Sequence, residues 1–469
     1  MTYDQAVRDL FSLGKELASP RQPALSSAQG ARVQKFGLDN ISLLAEALGR
    51  PHLAVPCVHI AGTNGKGSTA AMLESILRAA GLRTGLYTSP HLECINERIR
   101  INGENISNED FAAAWSHVHS TIESLMASGK LAAHPTFFEC VTAMAFVSFA
   151  SHAVQFAVYE VGLGGRFDAT NIVIPEVAVI TAIDFDHENY LGNSIELIAA
   201  EKAGIIKPGA IVVSANERPE VRAVIARQSA KMNARLVEID LAFRLEGQQN
   251  DGGMYRATAV SIGRATDLAL HLAPSLPGGF QIRNALAAAT AAVLIRDRGF
   301  PIESAAIERG IATANWPGRL ERLAQHPSLY VDGTHNPSGA RELLKFWQEN
   351  FAGNKIFLVY GAMRDKAVDE IAGLLFPHAA TVILTEPRQP RAISAPLLAE
   401  MIGHHAKRSE IVRDPAAALE RALSLACPDD AVFATGSLYL VGDLLAYWHQ
   451  RENRSRPSPS AAATLNSRP

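Results

Sequence analysis

The sequence is poor in cysteine and has no surplus of basic residues. Only four cysteines occur among 469 residues, and they show neither metal-binding nor disulfide-type spacing: Cys57, Cys94, Cys140 and Cys427. This usage favours a reducing compartment. There are 44 Lys and Arg residues against 47 Asp and Glu, which gives a net charge of −3. Because the basic residues do not cluster, the chain lacks the electrostatic footprint of a nucleic-acid-binding protein, and we expect no nucleic-acid partner.

The chain also lacks an uninterrupted apolar run of membrane-spanning length. The twenty residues between Glu139 and Glu160 carry no formal charge, which is long enough to cross a bilayer. Polar side chains interrupt them: Thr142, Ser148, Ser151, His152 and Gln155. The stretch therefore predicts a buried helix followed by a buried central strand. Charged residues precede the first apolar run at the N-terminus, so no signal peptide is visible, and we expect a cytoplasmic protein without a membrane partner.

Apolar strands alternate with helical patterns, and 469 residues exceed one hydrophobic core, which predicts an α/β protein of more than one domain. Up to about residue 216, five strands are expected, over residues 58–62, 84–88, 156–161, 177–183 and 210–215. This order predicts a P-loop-type, mostly parallel sheet with helices on both faces. Its functional site should lie at the carboxyl ends of the strands.

The pattern changes twice further along the chain. Between about residues 235 and 274, apolar residues alternate with period two around a turn at 250–253, which predicts a small antiparallel sheet. A helix is expected over 284–296, and Asn315-Trp316-Pro317-Gly318 then breaks the helical pattern. We therefore expect one domain over 1–314 and a smaller Rossmann-like α/β domain over 315–452. The Ser/Pro/Ala-rich residues 453–469 are expected to be disordered.

The most informative motif is a glycine-rich turn between the first strand and a helix, with the sequence Gly62-Thr63-Asn64-Gly65-Lys66-Gly67-Ser68. Backbone N–H groups, the helix N-terminus and Lys66 together would cradle a phosphate. The turn departs from the Walker A pattern, because Gly67 stands where a hydroxyl normally binds Mg²⁺. A metal ion would have to take that oxygen from elsewhere. The alternative is a tight turn that binds no ligand.

Three candidate metal ligands follow predicted strands. Ser89 could supply the missing oxygen or could belong to a simple turn. Glu160 ends a buried strand, where a carboxylate is costly to desolvate unless a cation compensates; the alternative is an ion pair with Arg166. His187 is either a third ligand or a core histidine. Because strand ends of a parallel sheet meet at one edge, we favour a metal site built from all three.

Other polar residues sit at similar places. Lys202 follows a predicted helix, and its alternative interpretation is a solvated surface lysine. Arg319 comes just after the break, where it is either a surface residue or a clamp for nucleotide phosphates. In the second predicted domain, Asp332 and His335 place an acid and a histidine at a strand end.

These segments, in this order, resemble the Mur ligase superfamily and, within it, the folylpolyglutamate synthase and dihydrofolate synthase family. The matching segments span about residues 35–440, and their ordered set is specific although no single member is: 62–68, 87–91, 160–171, 186–187, 201–205, 316–319 and 332–337. The resemblance implies an ATP-binding Mur-ligase-type central domain followed by a ligase domain. It also implies a monomeric, ATP-dependent ligase that adds L-glutamate to dihydropteroate, giving dihydrofolate, and to reduced folates, through an acyl phosphate.

The resemblance further implies roles for individual residues. ATP would be held by Thr63, Asn64, Gly65, Lys66, Gly67, Ser68, Asn284, Arg319 and Asp332, with Asn284 at the adenine and Asp332 at the ribose. Mg²⁺ would be held by Ser89, Glu160 and His187. Lys202, carrying a carbamate, would help to hold a second Mg²⁺. Lys66, Lys202 and His335 would take part in catalysis.

On the acceptor side, the resemblance implies contacts from Phe36, Gly37, Leu38, Thr136, Phe138, Phe167, Asp168 and Ala169. An ordinary helix start packed on the core would predict the same aromatic residues near 138. The family often has an acidic residue where Lys35 aligns. Two alternatives stay open. The first is a ligase that acts only as a folylpolyglutamate synthase, or another Mur-type ligase with a different acid. The second comes from a different class and is a P-loop ATPase or kinase.

Overall fold

A computed structural model describes residues 1–14, 37–263 and 268–455. The chain divides into two compact units, Met1–Trp316 and Pro317–Pro469. The expected acceptor contact Phe36 and the expected disordered residues 456–469 lie outside the described residues.

An eight-stranded sheet is the scaffold of the first unit, in the order β4-β3-β2-β5-β1-β6-β7-β8. Its strands are β1 Cys57–Ala61, β2 Thr84–Tyr87, β3 Ile99–Ile101, β4 Glu104–Asn105, β5 Phe156–Glu160, β6 Val177–Ile180, β7 Ile211–Ser214 and β8 Arg235–Glu238. All neighbouring pairs are parallel except those formed by β3 and β4. The mostly parallel sheet predicted from the alternating pattern is confirmed.

Helices cover both faces of this sheet, which explains why its central strands are continuously apolar. The helices of the unit are α1 Tyr3–Ser12, α2 Asp39–Ala47, α3 Lys66–Ala79, α4 Asn108–Ala127, α5 Phe137–Ser151, α6 Glu188–Leu191, α7 Ile195–Lys202, α8 Pro219–Lys231, α9 Ile239–Ala242, α10 Phe280–Arg296 and α11 Ser304–Thr313. In β5, Phe156 and Val158 pack on one face with α3, α10 and α11, whereas Ala157 and Tyr159 pack on the other with α4 and α5.

The small antiparallel sheet is present but begins later than predicted. It has the order β11-β10-β9, with β9 Phe243–Asp251, β10 Met254–Ser261 and β11 Ala269–Leu272. The predicted start at residue 235 is wrong, because β8 pairs in parallel with β7 and extends the large sheet. The fourth strand is likewise shorter than expected, since it ends at Ile180 rather than at residue 183.

The second unit is an α/β domain with a six-stranded sheet in the order β12-β13-β17-β14-β15-β16. Only the edge strand β12 is antiparallel to its neighbour. The strands are β12 Glu321–Gln325, β13 Ser328–Val331, β14 Ile356–Tyr360, β15 Thr381–Leu384, β16 Ser409–Ile411 and β17 Ala431–Thr435. The helices are α12 Pro337–Asn350, α13 Val368–Leu375, α14 Ala395–Ile402, α15 Pro415–Leu425 and α16 Leu438–Ser455.

Two expectations about segments of the chain can be compared with these elements. Helix α16 continues through Ser455, so the predicted start of the disordered tail at 453 falls inside a helix. The charge-free stretch before Glu160 forms α5 and β5, as expected. Within the described residues, every helix is too short or too polar to span a membrane.

Candidate active site

A glycine-rich loop joins β1 to α3 and forms the centre of the candidate site. Gly65 caps the helix in the left-handed region, at φ 85°. A methyl group added there would lie 2.3 Å from Oδ1 of Asn284 on α10, so only glycine fits. The first N–H groups of a helix have no hydrogen-bond partner within the helix. The first turn of α3, which starts directly after Gly65, is therefore suited to bind an anion.

The segment that follows β6 fixes the shape of this loop. The N–H groups of Thr63 and Asn64 both donate to the carbonyl of Ala182, at 2.8 and 3.1 Å. The Thr63 hydroxyl donates to the carbonyl of Asp184 (2.9 Å) and accepts from the Asp184 N–H (3.1 Å). Sequence reasoning missed this support, because backbone carbonyls leave no signal in residue type.

Two lysines converge on the loop. Nζ of Lys66 donates to the carbonyl oxygens of Gly62 and Thr63, both at 3.1 Å. Nζ of Lys202, at the end of α7, donates to the same Gly62 carbonyl at 2.8 Å. Lys202 is only 5% exposed, so its interpretation as a solvated surface lysine is wrong. Both side chains therefore meet at the loop, and the Lys66 ammonium supplies the positive charge that a phosphate cradle needs.

Helix α10 and Trp316 line the start of α3. The Gln281 side chain donates to the Ser68 hydroxyl (3.5 Å) and accepts from Nδ2 of Asn284 (2.9 Å). A methyl group on Gly67 would lie 2.7 Å from Nε1 of Trp316, which explains the small residue at that position. Gln281 was not predicted, although its i,i+3 spacing to Asn284 places both on one helix face.

Ser89 and Glu160 meet at the carboxyl ends of the neighbouring strands β2 and β5. The Ser89 N–H donates to Oε2 of Glu160 at 3.2 Å, and Glu160 is 5% exposed. The alternative ion pair between Glu160 and Arg166 is wrong, because the Arg166 guanidinium pairs with Glu201 at 3.1 Å. A buried carboxylate beside a hydroxyl residue is a suitable donor set for a hard divalent cation.

His187 follows β6 and adopts a left-handed conformation, with φ 54°. Its N–H donates to Oδ1 of Asp186 (2.9 Å), and its Nε2 lies 3.8 Å from the other Asp186 oxygen. The side chain is 23% exposed, so it is not a fully buried core histidine. The strand order β2-β5-β1-β6 places the segments carrying Ser89, Glu160, the glycine-rich loop and His187 after four consecutive strands.

The loop after β5 is organised by Asp168. One carboxylate oxygen accepts the N–H groups of Gly162 and Leu163, both at 3.0 Å. The other accepts the N–H of Thr170 at 3.0 Å and also its hydroxyl. Burial raises the pKa of this carboxyl group. Asp168 is 6% exposed, and both of its carboxylate oxygens accept hydrogen bonds from its own loop.

The other predicted acceptor residues divide into exposed and structural ones. Phe167 is 50% exposed, whereas Ala169 is buried in the core. Thr136 accepts the N–H of Glu139 and caps α5 in a capping box. Phe138 lies against Gly162, where an added methyl group would be 2.6 Å from the ring. Near the N-terminus, Gly37 is exposed and Leu38 packs on the same core.

In the second unit, the predicted residues surround the end of β13. Asp332 accepts the N–H groups of Leu320 (2.8 Å) and Thr334 (2.9 Å). The Arg319 guanidinium donates to the carbonyl of Gly318 at 3.1 Å and packs on Gly333. His335 donates its Nδ1–H to the Gly333 carbonyl at 2.7 Å. That bond fixes the tautomer, so Nε2 carries the ring's lone pair.

Comparison with known proteins gives consistent matches. Residues 60–292 match the Mur ligase middle domain, and residues 318–438 match the Mur ligase glutamate ligase domain. The dihydrofolate synthase/folylpolyglutamate synthase of Bacillus subtilis (strain 168) is 35% identical over 412 residues, covering 87% of this chain and 94% of the relative.

Solved structures show the same similarity. The folylpolyglutamate synthase of Mycobacterium tuberculosis, complexed with ADP and AMPPCP, aligns with a TM-score of 0.82 at 34% identity, over 88% of this chain and 96% of that one. The bifunctional folylpolyglutamate synthase/dihydrofolate synthase of Yersinia pestis, complexed with AMPPNP and Mn ion, aligns with a TM-score of 0.78 at 30% identity, over 96% and 98%.

Proposed function

We propose an activity from one premise: the chain belongs to the dihydrofolate synthase/folylpolyglutamate synthase family of Mur ligases. It is an ATP-dependent ligase that joins L-glutamate to dihydropteroate, giving dihydrofolate, and to reduced folates. The observation that carries this proposal is the convergence of Lys66 and Lys202 on the Gly62 carbonyl, in a loop shaped for phosphate.

The chemistry follows from the poor reactivity of a carboxylate, which cannot expel oxide or hydroxide. A carboxylate oxygen of the acceptor attacks the γ-phosphorus of ATP, and ADP leaves. The glutamate amine then attacks the acyl carbon and loses a proton, and inorganic phosphate departs with the carboxylate oxygen. Protein groups supply position and charge neutralisation rather than covalent chemistry.

Within this reaction, we assign the glycine-rich loop to the ATP phosphates: Thr63, Asn64, Gly65, Lys66, Gly67 and Ser68. The N-terminus of α3, which begins at Lys66, and the Lys66 ammonium support this assignment. In the second unit, Arg319 is assigned to phosphate, Asp332 to ribose and His335 to the reacting phosphoryl group. Asn284, which contacts Gly65, is assigned to the adenine end of the nucleotide.

The residues after β2, β5 and β6 fit a Mg²⁺ ion. A buried carboxylate hydrogen-bonded to the backbone of Ser89 provides the hard oxygen donors that Gly67 cannot supply. We propose that Ser89, Glu160 and His187 hold this ion. When bound, Mg²⁺ neutralises the charge that develops on the transferred phosphoryl group.

We also propose that Lys202 is carbamylated and holds a second Mg²⁺. The Nζ ammonium first loses a proton; the resulting amine adds to carbon dioxide and loses a second proton, so that a cation becomes an anion with the release of two protons. The position of Lys202 supports the proposal: it is 5% exposed and its Nζ lies at the Gly62 carbonyl, so a carbamate there would lie beside the phosphate loop. Mass spectrometry of the intact chain in bicarbonate buffer tests it through a reversible gain of one carbon dioxide.

For the acceptor, we propose that Gly37, Leu38, Phe138 and the exposed ring of Phe167 contact the flat pterin and its aryl group, with Phe36 completing the set. We assign supporting roles to Thr136, Asp168 and Ala169, since they cap α5, hold the loop and pack in the core. These three would act on the acceptor through the segments that they position.

We further propose a monomeric, cytoplasmic enzyme. All four cysteines are free, and two of them, Cys57 and Cys140, are buried, which suits a reducing compartment. Light scattering of the purified chain tests the monomeric state.

The experiment incubates the purified chain with ATP, Mg²⁺ and labelled L-glutamate, with dihydropteroate and a reduced folate as separate acceptors. The proposal predicts labelled product with each acceptor, and ADP release only when acceptor and glutamate are both present. Product with the reduced folate alone would establish a monofunctional synthase. ADP release without an acceptor would instead establish a P-loop ATPase, and ADP release with an acceptor but without glutamate would establish a kinase. Lys66→Ala should abolish turnover while leaving the fold intact, because the Lys66 ammonium is assigned to the ATP phosphates; the unfolding transition of the variant checks the fold.

A further inference from the structure

A cluster of two histidines and a glutamate lies on α4 and on the connection that follows it. His119 and Glu123 are four residues apart, on one face of the helix. His134 comes from the segment between α4 and α5. One ligand atom from each of the three side chains lies within 4.8 Å of the other two.

The two imidazole rings are held in position by neighbouring groups. Nδ1–H of His134 donates to the Pro135 carbonyl at 2.7 Å, so its Nε2 carries the lone pair. Metal-binding histidines commonly have such a carbonyl partner, which fixes the tautomer and the ring orientation. The His119 ring stacks on the buried Trp115, with centroids 5.1 Å apart and an interplanar angle of 19°. Its Nδ1 is buried and has no hydrogen-bond partner among the described residues.

We propose that His119, Glu123 and His134 bind a divalent transition metal, with Zn²⁺ as the best match. Two imidazole nitrogens and one carboxylate oxygen form a three-ligand set that Zn²⁺ takes in tetrahedral geometry, with a fourth position for water. The Mg²⁺ site proposed at the sheet edge has one imidazole and two oxygen-bearing side chains, and Mg²⁺ favours oxygen ligands. With two imidazoles and one carboxylate, this cluster is better suited to Zn²⁺, and it does not depend on the proposed ligase activity.

The bound ion would tie the last turns of α4 to the connection that leads into α5. Thr136, which caps α5, comes two residues after His134. Phe138, at the start of the same helix, contacts Gly162 in the loop after β5. A metal at this cluster would therefore restrict the backbone between Gly129 and Thr136 and stabilise the start of α5.

A second cluster, Asp369 with His404 and His405, lies in the other unit and must be separated from the first in any measurement. There, Nε2 of His405 is already hydrogen-bonded to Asp369 at 2.9 Å. All proteins in the test therefore carry His404→Gln and His405→Gln.

The test uses the full-length chain without a histidine tag, stripped of metal and kept in excess Mg²⁺ to fill the proposed Mg²⁺ sites. Zn²⁺ alone is titrated against a chromophoric chelator. We expect the parent protein to bind one Zn²⁺ that is lost, or weakened at least about tenfold, in His134→Gln, since removing one ligand of three leaves a poor site. His117→Gln is the matched control, because His117 is an exposed histidine on the same helix outside the cluster. It should bind Zn²⁺ like the parent.

A spectroscopic measurement covers the case in which one variant misfolds. The Co²⁺-loaded parent should show the strong visible absorption of a tetrahedral ion, and His119→Gln, Glu123→Gln and His134→Gln should each lose it. Equal Zn²⁺ binding by the parent and His134→Gln, or no tetrahedral Co²⁺ spectrum in the parent, would overturn the proposal.

Discussion

At the scale of single residues, the site depends on where a side chain would not fit. Gly65 and Gly81 lie at the two ends of α3, and both have φ 85°. An alanine at either position would adopt a strained left-handed conformation. Only at Gly65 would the new methyl group also meet a neighbour, Oδ1 of Asn284 at 2.3 Å, whereas nothing lies within 4 Å of it at Gly81.

Gly65→Ala should therefore weaken ATP binding, and Gly81→Ala should not. Both variants should lose about 1–2 kcal/mol of unfolding free energy from backbone strain. Because only Gly65→Ala displaces Asn284 and the phosphate loop, its Kd for a non-hydrolysable ATP analogue should rise at least about tenfold. Calorimetric titration measures both Kd values, and an equal Kd for the two variants would contradict the role of the loop.

A second residue, His59, supports the loop after β5 that contains Asp168. His59, in the middle of β1, is fully buried. Its Nε2–H donates to the Thr170 hydroxyl at 2.8 Å, and that hydroxyl donates in turn to Asp168. Burial, together with the nearby charge of Lys207, lowers the pKa of His59 to about 3. The imidazole is therefore neutral at physiological pH. It donates a hydrogen bond to Thr170 and, through this hydroxyl, supports the position of Asp168.

This shift predicts a pH dependence of stability. An unfolded histidine has a pKa of about 6.5, so below that pH the unfolded chain binds a proton that the folded chain does not. The contribution of His59 to the unfolding free energy is complete above pH 6.5. It falls by about 1.4 kcal/mol for each pH unit as pH decreases towards 3.

Urea unfolding of the wild type and of His59→Gln at about pH 7.5 and about pH 5 measures this contribution, since titrations shared by the two proteins cancel. Glutamine keeps an amide donor but does not titrate. The wild type should lose about 2 kcal/mol more than the variant between the two pH values. Equal losses would mean that His59 takes up a proton without unfolding, against the burial seen here.

At the scale of secondary-structure elements, helix caps set where the acceptor residues lie. Thr136 caps α5 and Ser107 caps α4, each through a hydrogen bond from a backbone N–H three residues on. Replacing either with alanine should cost about 1 kcal/mol of unfolding free energy. Only Thr136→Ala frees the turn that carries Phe138, so only this variant should raise the KM for dihydropteroate. Steady-state kinetics test this, and parallel KM values in the two variants would exclude a link between the α5 cap and the acceptor.

The sequence predicted those elements whose burial leaves a clear pattern. β5 is apolar throughout because helices cover both of its faces, and its bounds differ by one residue from those predicted. β8 was misassigned because Arg235–Glu238 lies at a half-exposed sheet edge, where alternation resembles that of an antiparallel strand. The edge strands β4, β12 and β16, and β3 next to β4, were missed, since short strands that carry charged residues give no periodic signal.

At the scale of the whole molecule, the candidate site could be predicted because its residues follow strands of a parallel sheet. Topology alone brings Ser89 and Glu160 together, and the structure confirms their contact. Two features of the molecule could not be predicted from the sequence. The support from Ala182 comes from backbone atoms, and the proximity of His134 to His119 on α4 depends on how a connecting segment folds back.

The central claim is that the acceptor carboxylate receives the γ-phosphoryl group of ATP. The most direct test uses dihydropteroate that carries a heavy oxygen isotope in its carboxylate. This acceptor is incubated with the enzyme, ATP and L-glutamate, and the inorganic phosphate that is released is analysed by mass spectrometry. The account predicts one labelled oxygen in each phosphate, because the acyl oxygen leaves with it. Amide product accompanied by unlabelled phosphate would contradict the account.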